Sequence, residues 1–548
     1  MVSRSYSTPN FLYSISPLKK GSDEMAKINK PIKTQKIENY EGGQAFELSP
    51  EMKLVQMTST CLFKEPKFYG EIGDTEEEIL RLTEIVAKKD PKFLLQLALY
   101  LRSEQNLRTI PMVLLAKASN IVECKPFIKE YTPKIIQRAD EINEVIAAYI
   151  SLFAPERTKE NKKNHPLKLP NSLKKGIAKS FESFDIYQFG KYNRKTEVRF
   201  KDVIMLTHPK EPSDIIKKIL DGNLEVPYTW ETSLSKKGNK PEVWEQLIDS
   251  EKLGYFAVVR NLRNILTTGG KGVSDKHIDK VINYIKDPKE VRKSKLFPFR
   301  FFSAYKELYR PSRMNRFWEY DDKPPVDNPR TSDVLDALEE AIEISYENIP
   351  HMPGTTLIAC DVSGSMENSI SKKSKLQRFD IGLLLGAATY KYTDKGIIGI
   401  FGDEWEQINL AKKSTGIIAN TIKMHEREGE VGYSTNGYLV IQWAIDNNLK
   451  VDRFLFFSDN QMWDSQRRDL MSCMDVIEVN NVFKEYKKSI NPKVKLYIFD
   501  LAGYGTMAFP PSDPSIVGIA GWSDKVLQFI KTREEGIESQ VNYIKEKY

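Results

Sequence analysis

From about Ser49 to Asn348 the apolar residues of this chain recur at helical spacing. Ile79, Leu80, Ile85 and Val86 share one face before Asp90-Pro91 interrupts it. Phe93, Leu94, Leu97, Ala98 and Leu101 form the next stripe, which stops at Glu104-Gln105-Asn106, and another segment runs from Met112 to Ala116. Lys125-Pro126 and Thr132-Pro133 read as further breaks, because proline lacks the N–H that a helix interior needs. Short helices on short turns, with no strand between them, predict a helical bundle or an irregular HEAT-like array.

After Pro353 the period changes. Strands are expected at 355–360, 396–401, 451–458, 494–500 and 515–519, with helices at 378–392, 436–447, 476–488 and 523–532. This alternation predicts a doubly wound α/β domain whose mostly parallel sheet is covered on both faces. At 548 residues the chain is longer than one core usually serves. The expected division is a disordered tail over 1–40, an all-α array over 41–350 and the α/β domain over 351–548. The polar segments 156–175 and Asp321 to Asn328 read as exposed loops, and an acidic helix, Ser332 to Asn348, leads into the second domain.

Two strand ends in the second domain carry chemistry. Asp361, Ser363 and Ser365 (D-V-S-G-S-M) follow the apolar run Thr355 to Cys360, and Asp459 ends the run Phe454 to Ser458. Thr435 lies in the loop-forming segment G-Y-S-T-N-G. Residues just past the carboxyl ends of neighbouring parallel strands converge on one crevice. Two carboxylates and three hydroxyls there make an all-oxygen shell, suited to one small hard cation such as Mg²⁺. Neither Cys nor His takes part, which argues against zinc.

Composition narrows the function classes. Cys61, Cys124, Cys360 and Cys473 match no C-x-x-C spacing and read as buried thiols of a reducing compartment. No apolar run is long enough to cross a bilayer. The chain lacks G-x-x-x-x-G-K-[ST] and G-x-S-x-G, so neither a nucleotide loop nor a nucleophile elbow supports catalysis. The first twenty-two residues contain no acid but are interrupted by Pro9 and Pro17, and Met25 would itself serve as a start. A disordered tail is expected there rather than a transit peptide.

The net charge of +7 is unevenly placed. Residues 151–200 and 251–300 each carry +7, whereas 301–350 carry −5 and 351–548 carry −1. Basic charge concentrated in this way is the footprint of a nucleic-acid surface, although lysine-rich solvated helix faces would show it too. Lys191, Arg194 and Lys195 are spaced to share one helical face, and Lys201 and Lys210 flank the next helix. Tyr192 offers a ring for base stacking. His208 reads from its own surroundings as a core histidine. Phe256, Val259 and Leu262 mark the buried side of their helix, leaving Arg260 and Arg263 to point either inward or at a neighbouring helix end.

Taken together these segments resemble a known layout. The D-x-S-x-S loop with Thr435 and Asp459 resembles the metal-ion-dependent adhesion site of von Willebrand factor A domains, although many members carry an acid where this chain has Asn436. The stretch Phe189 to Lys210, together with Glu251 to Leu266 and Leu296 to Lys306, resembles the TROVE domain of the Ro autoantigen family. That resemblance implies a HEAT-like ring closed by the A domain, with Asp361, Ser363, Ser365, Thr435 and Asp459 as metal ligands. It implies RNA binding through Lys191, Lys195 and His208, with Arg194 beside them. Implied partners are small structured Y-like RNAs on a basic outer surface and single-stranded 3′ ends of misfolded RNA in a central hole. An exoribonuclease, or a protein whose carboxylate completes the metal shell, would join them. A noncatalytic, cytoplasmic, monomeric RNA-binding scaffold is the expectation. The alternatives are a metal-dependent nuclease using Asp361 and Asp459, or a protein-binding adhesion module.

Overall fold

The computed structural model describes residues 35–60, 74–157, 166–193, 196–225, 227–309, 325–370, 374–410, 416–465, 477–523, 525–534, 536 and 539–548. The first long stretch is helical, as the spacing predicts. The helix Pro91–Ser103 begins at Asp90, whose carboxylate accepts the Phe93 N–H at 3.1 Å, and it buries Phe93, Leu94, Leu97, Ala98 and Leu101. The predicted break at Thr132-Pro133 does not occur, because the helix Lys125–Ile135 runs through Pro133. Proline is tolerated there because the helix ends two residues later while Ile128, Tyr131 and Ile135 still bury one face. The loop expected over 156–175 is shorter, since Asn171–Ser180 is a helix that buries Leu173 and Ile177. The acidic helix spans Thr331–Ser345.

The front part also contains strands. β1 (Lys36–Glu38) and β2 (Gln44–Glu47) form an antiparallel hairpin, so the tail expected to reach residue 40 gives way to structure before that point. Alternation of half-buried Ile37 and buried Ala45 and Phe46 is too short a signal to stand out from sequence.

The second domain is built on β3 (Met352–Asp361), β4 (Thr393–Phe401), β5 (Trp405–Gln407), β6 (Arg453–Ser458), β7 (Lys495–Asp500), β8 (Thr506–Met507) and β9 (Ile516–Ala520). The main sheet has the order β5-β4-β3-β6-β7-β9, parallel throughout except for the antiparallel edge strand β5. Every residue of β6 is buried, as expected of a central parallel strand covered on both faces. The helices Arg378–Lys391, Tyr438–Asp446, Val479–Ser489 and Lys525–Glu534 fall close to prediction. The helix Ile417–His425 and strand β5 were not predicted. β8 leaves the main sheet and pairs with β2, so the N-terminal hairpin is completed by the far end of the chain.

Contacts close the array on the second domain at both ends. At the N-terminal end the helix Gln540–Lys547 packs on the array: Ile544 enters its core, Gln540 Nε2 donates to the Tyr100 hydroxyl at 2.9 Å, and Lys547 pairs with Glu104. At the other end Glu339 and Glu343 of Thr331–Ser345 accept the Ile418 and Ile417 N–H groups at 2.9 and 3.0 Å, capping the helix Ile417–His425. Beside them Lys306 Nζ lies 3.0 Å from Asp380 and His425 Nδ1 lies 2.9 Å from it, with Asp380 wholly buried. Burial alone would raise the Asp380 pKa, but the charges of Lys306 and His425 outweigh it and hold the carboxyl well below its ordinary value. One apolar core runs from Val243 to Ile349 of the array and on into the A domain, so the boundary near residue 350 does not separate two cores.

Candidate metal centre and nucleic-acid face

Asp361 ends β3 and Asp459 follows β6, and the register pairs Cys360 with Phe457, so the adjacent strands deliver both carboxylates to one place. Asp361, Ser363, Ser365, Thr435 and Asp459 are each no more than 3% exposed. The Ser363 and Ser365 hydroxyls are 3.3 Å apart, and Ser458 Oγ donates to Asp361 Oδ2 at 2.5 Å. Ser365 reaches Asp459 through its side chain. The Gly364 N–H donates to the Tyr433 carbonyl at 2.9 Å and the Trp463 N–H donates to the Thr435 carbonyl at 3.1 Å, binding the Thr435 segment against both loops. The two carboxylates and the Ser363 and Ser365 hydroxyls therefore lie at the carboxyl end of the sheet, with the Thr435 segment bound against their loops.

The electrostatics of this cluster fit a cation. Burial, then the charge of Asp459, holds the Asp361 carboxyl well above its ordinary value, and burial does the same to Asp459. Asp459 Oδ2 is buried with no hydrogen-bond partner. A buried carboxylate oxygen in that state is costly unless a positive charge meets it. Hard oxygens around two mutually repelling acids suit a Mg²⁺-like ion, which would be held by Asp361, Ser363, Ser365, Thr435 and Asp459. Asn436, where an acid is common, is engaged in structure: its Nδ2 donates to Ser465 Oγ at 2.8 Å and its Oδ1 accepts the Ser465 N–H at 2.9 Å.

Arg378 was missed from sequence. It is buried, donates from Nη1 to the Tyr504 hydroxyl at 2.9 Å and to the Ser365 carbonyl at 3.4 Å, and its charge offsets part of the repulsion on Asp459. The N-terminal turn was missed as well. The Tyr40 N–H donates to Gln461 Oε1 at 2.9 Å and Asn39 Nδ2 donates to the Met462 carbonyl at 2.8 Å, so the β1–β2 turn sits directly beyond Asp459. Nothing local in the sequence announces either contact.

On the array, Lys191 lies in the last turn of the helix Ile186–Tyr192, which ends at Asn193. Arg194 and Lys195 lie outside the described residues. Tyr192 is half-buried with the Arg138 guanidinium 4.6 Å from its ring centre, which leaves that ring already stacked on a cation. His208 is exposed rather than in the core and closes the helix Phe200–Thr207 in the left-handed conformation, φ +50°. Lys201 is inside that helix and its Nζ donates to the Leu220 carbonyl at 2.9 Å, near the end of the helix Ser213–Asp221. Phe256, expected to be buried, is exposed, because the helix Tyr255–Arg260 ends at Asn261 and turns Tyr255, Val258 and Val259 to the core instead.

A second basic group joins distant parts of the array. Arg263 is held by Glu307, 3.7 Å from its carboxylate, whereas no ion pair engages Arg108, Arg260 or Arg300 among the described residues. Arg108 and Arg260 are exposed and Arg300 is half-exposed. Burial, then the charges of Arg260 and Arg108, depress the Arg300 pKa, so both cations lie within electrostatic reach of Arg300. Arg108 is lowered likewise, first by desolvation and then by the charges of Arg138 and Arg102, against which Asp140 and Glu141 act in part. Cations that repel each other favour the approach of a polyanion.

Cys124 and Cys360 are buried free thiols, while Cys61 and Cys473 lie outside the described residues. No helix among the described residues is long and apolar enough to cross a membrane.

Comparison with known proteins agrees with this architecture. A TROVE domain model matches residues 47–221 and 221–314, and a Ro60 vWA domain model matches residues 355–532. Telomerase protein component 1 of Rattus norvegicus is 24% identical over 638 residues, covering 88% of this chain and 23% of that protein. RNA-binding protein RO60 of Caenorhabditis elegans is 23% identical over 296 residues, covering 53% of this chain and 42% of that protein. The chain thus spans less than half the length of these curated relatives. The crystal structure of the Deinococcus radiodurans RO (RSR) protein superposes with a TM-score of 0.57 at 17% identity, covering 88% of this chain and 100% of that one, which establishes a shared fold.

Proposed function

The chain belongs to the TROVE-domain proteins of the Ro family, with a Ro60-type A domain, and from that premise we propose that it is an RNA-binding ribonucleoprotein scaffold. Its array takes single-stranded 3′ ends of misfolded RNA inside the ring and small structured, Y-like RNAs on the basic outer face near Lys191, Arg194, Lys195 and His208. The observation that carries this reading is the group Arg108, Arg260 and Arg300, cations from three separate helical segments that no ion pair engages among the described residues. Phosphates would replace the missing counter-charge. In the cytoplasm, RNA quality control is the task such a scaffold serves.

Threading supplies the test. A single strand enters a ring where a closed duplex does not, so an RNA with a 3′ single-stranded tail is expected to bind at least about tenfold more tightly than the same RNA fully paired and blunt, with steep salt dependence. Equal affinities in a salt titration would remove capture inside the ring.

The A domain in this reading holds one divalent cation and does no chemistry on RNA. At Mg²⁺ one hundred times its dissociation constant, stabilisation of about 2.7 kcal/mol is expected from mass action, and Asp361→Ala is expected to abolish it. RNA affinity is expected to survive that substitution. The nuclease alternative forecasts the reverse: RNA degraded with Mg²⁺ or Mn²⁺ by wild type and spared by Asp361→Ala. Such turnover, measured against a mock preparation, would overturn the scaffold assignment.

A further inference from the structure

A cavity of about 430 Å³ opens between the helix Pro50–Ser59, strand β9 and the C-terminal helices Lys525–Glu534 and Gln540–Lys547. That is the size of a small-molecule site. β9 is the last strand of the main sheet, and its bonds to β7 use one edge only. The Leu496 N–H donates to the Ser515 carbonyl at 2.8 Å, so Ser515, Val517 and Ile519 turn their backbone groups to β7. Ile516, Gly518 and Ala520 turn theirs the other way. Ala520 is already engaged: its N–H donates to Gln540 Oε1 at 3.1 Å and its carbonyl accepts Gln540 Nε2 at 3.2 Å, a two-point clasp of one residue's backbone by one planar amide. Ile516 donates its N–H to the Asp513 carbonyl at 3.0 Å. Gly518, between them, lines the cavity and presents the same backbone pair with no hydrogen bond to it among the described residues.

Two side chains add unmet hydrogen-bonding capacity. Gln56, 7% exposed, donates from Nε2 to the Thr506 carbonyl at 3.1 Å, and its Oε1 is buried with no partner among the described residues. Arg533 donates from Nη2 to the Pro514 carbonyl, and its Nε is buried and likewise without a partner there. Both line the cavity together with the apolar Met52, Val55 and Met507. The charges of the lining balance: Asp513 pairs with Lys487 at 3.0 Å, which leaves one acid, Asp500, and one base, Arg533. We propose that this cavity binds a neutral nucleoside whose ring carries an amino group beside a ring nitrogen. The ring nitrogen accepts from the Gly518 N–H and the amino group donates to the Gly518 carbonyl, repeating the Gln540–Ala520 clasp two residues earlier on the same edge. The second amino proton is then left for Gln56 Oε1, and an oxygen of the sugar for the Arg533 Nε–H. Buried polar groups without partners are costly, and such a ligand satisfies all four at once. A peptide strand does not fit, because Asp513 and Gln540 close the edge on either side of Gly518. A neutral ligand is favoured because a lining of no net charge would not repay the desolvation of an ion.

The experiment titrates the full chain with adenosine by calorimetry, with the ligand-free melting temperature as a fold control. Saturable binding at a single site is expected, insensitive to salt because no counterions are released. Purine riboside, which lacks the amino group, is expected to bind at least about a hundredfold more weakly, since two buried acceptors then go unpaired. Arg533→Lys keeps the charge but not the Nε–H, and is expected to weaken adenosine by at least about fivefold, the scale of one lost hydrogen bond. Met52→Trp, which fills the cavity from the array side, is expected to abolish binding at an unchanged melting temperature. Absence of adenosine binding, or equal binding of purine riboside, would overturn the proposal, and neither comparison depends on a variant that folds. Full binding by a folded Met52→Trp would place adenosine elsewhere on the chain and overturn it as well. So would a salt-dependent preference for AMP over adenosine, which would assign the binding to a basic RNA surface.

Discussion

Asp380→Asn is expected to destabilise the folded chain by about 3 to 5 kcal/mol, the usual cost of removing one member of a buried ion pair. Asp380 is 0% exposed and joins the two halves of the molecule, taking Lys306 from the array and His425 from the A domain. It also accepts the Gln377 N–H at 2.8 Å, capping its own helix. Asparagine keeps the shape but leaves the Lys306 ammonium, itself largely covered, without its counter-charge. Urea unfolding at pH 7 measures the loss. A deficit below about 1 kcal/mol, the scale of an exposed pair, would show that the ion pair is solvated and the clasp weak.

The pH dependence has a defined sign. The folded pKa of Asp380 is depressed, so its contribution is complete above the ordinary carboxylate value of about 3.9 and is lost as pH falls through the lower folded value. The gap between wild type and Asp380→Asn is therefore expected to stay constant from roughly pH 7 to 5 and to narrow below about pH 4. Replacing the pair together, Lys306→Met with Asp380→Leu, is expected to recover much of the loss, because apolar groups of similar size carry no desolvation penalty.

Arg108→Gln, Arg260→Gln and Arg300→Gln combined are expected to weaken binding of a 3′-tailed RNA by tens of fold near 0.15 M salt. Each phosphate contact on a single strand releases about 0.7 counterion, so three contacts lower the salt slope by about two. A purely structural set of arginines would lower the melting temperature when removed. Here the cations repel one another and no ion pair holds them, so the triple variant is expected to melt no lower than wild type. Unchanged affinity and slope in the folded variant would remove these residues from the RNA site. Lys191→Ala is expected to spare tail binding and to weaken a structured RNA instead.

The parts of this molecule legible in its sequence are those governed by local rules. Period 3.6 marked the array, and apolar runs that end in Asp, Ser and Gly marked both strand ends of the oxygen-donor cluster. The D-x-S-x-S spacing places Asp361, Ser363 and Ser365 on one turn whatever surrounds it. Local spacing misled where a helix stopped short of the pattern. Phe256 failed for this reason, since Asn261 divides the segment into two short helices with a different buried side.

Tertiary structure alone decided the rest. Adjacency of β3 and β6 brings Asp459 to Asp361, and tertiary packing brings Arg108 within electrostatic reach of Arg300. Pairing of β2 with β8 lays the Asn39–Gly43 turn beside the metal loops. Each of these joins residues far apart in the chain, and the free energy that selects them comes from burying a shared core. That term depends on which faces meet, and hydrophobic spacing along one segment records only that a face exists.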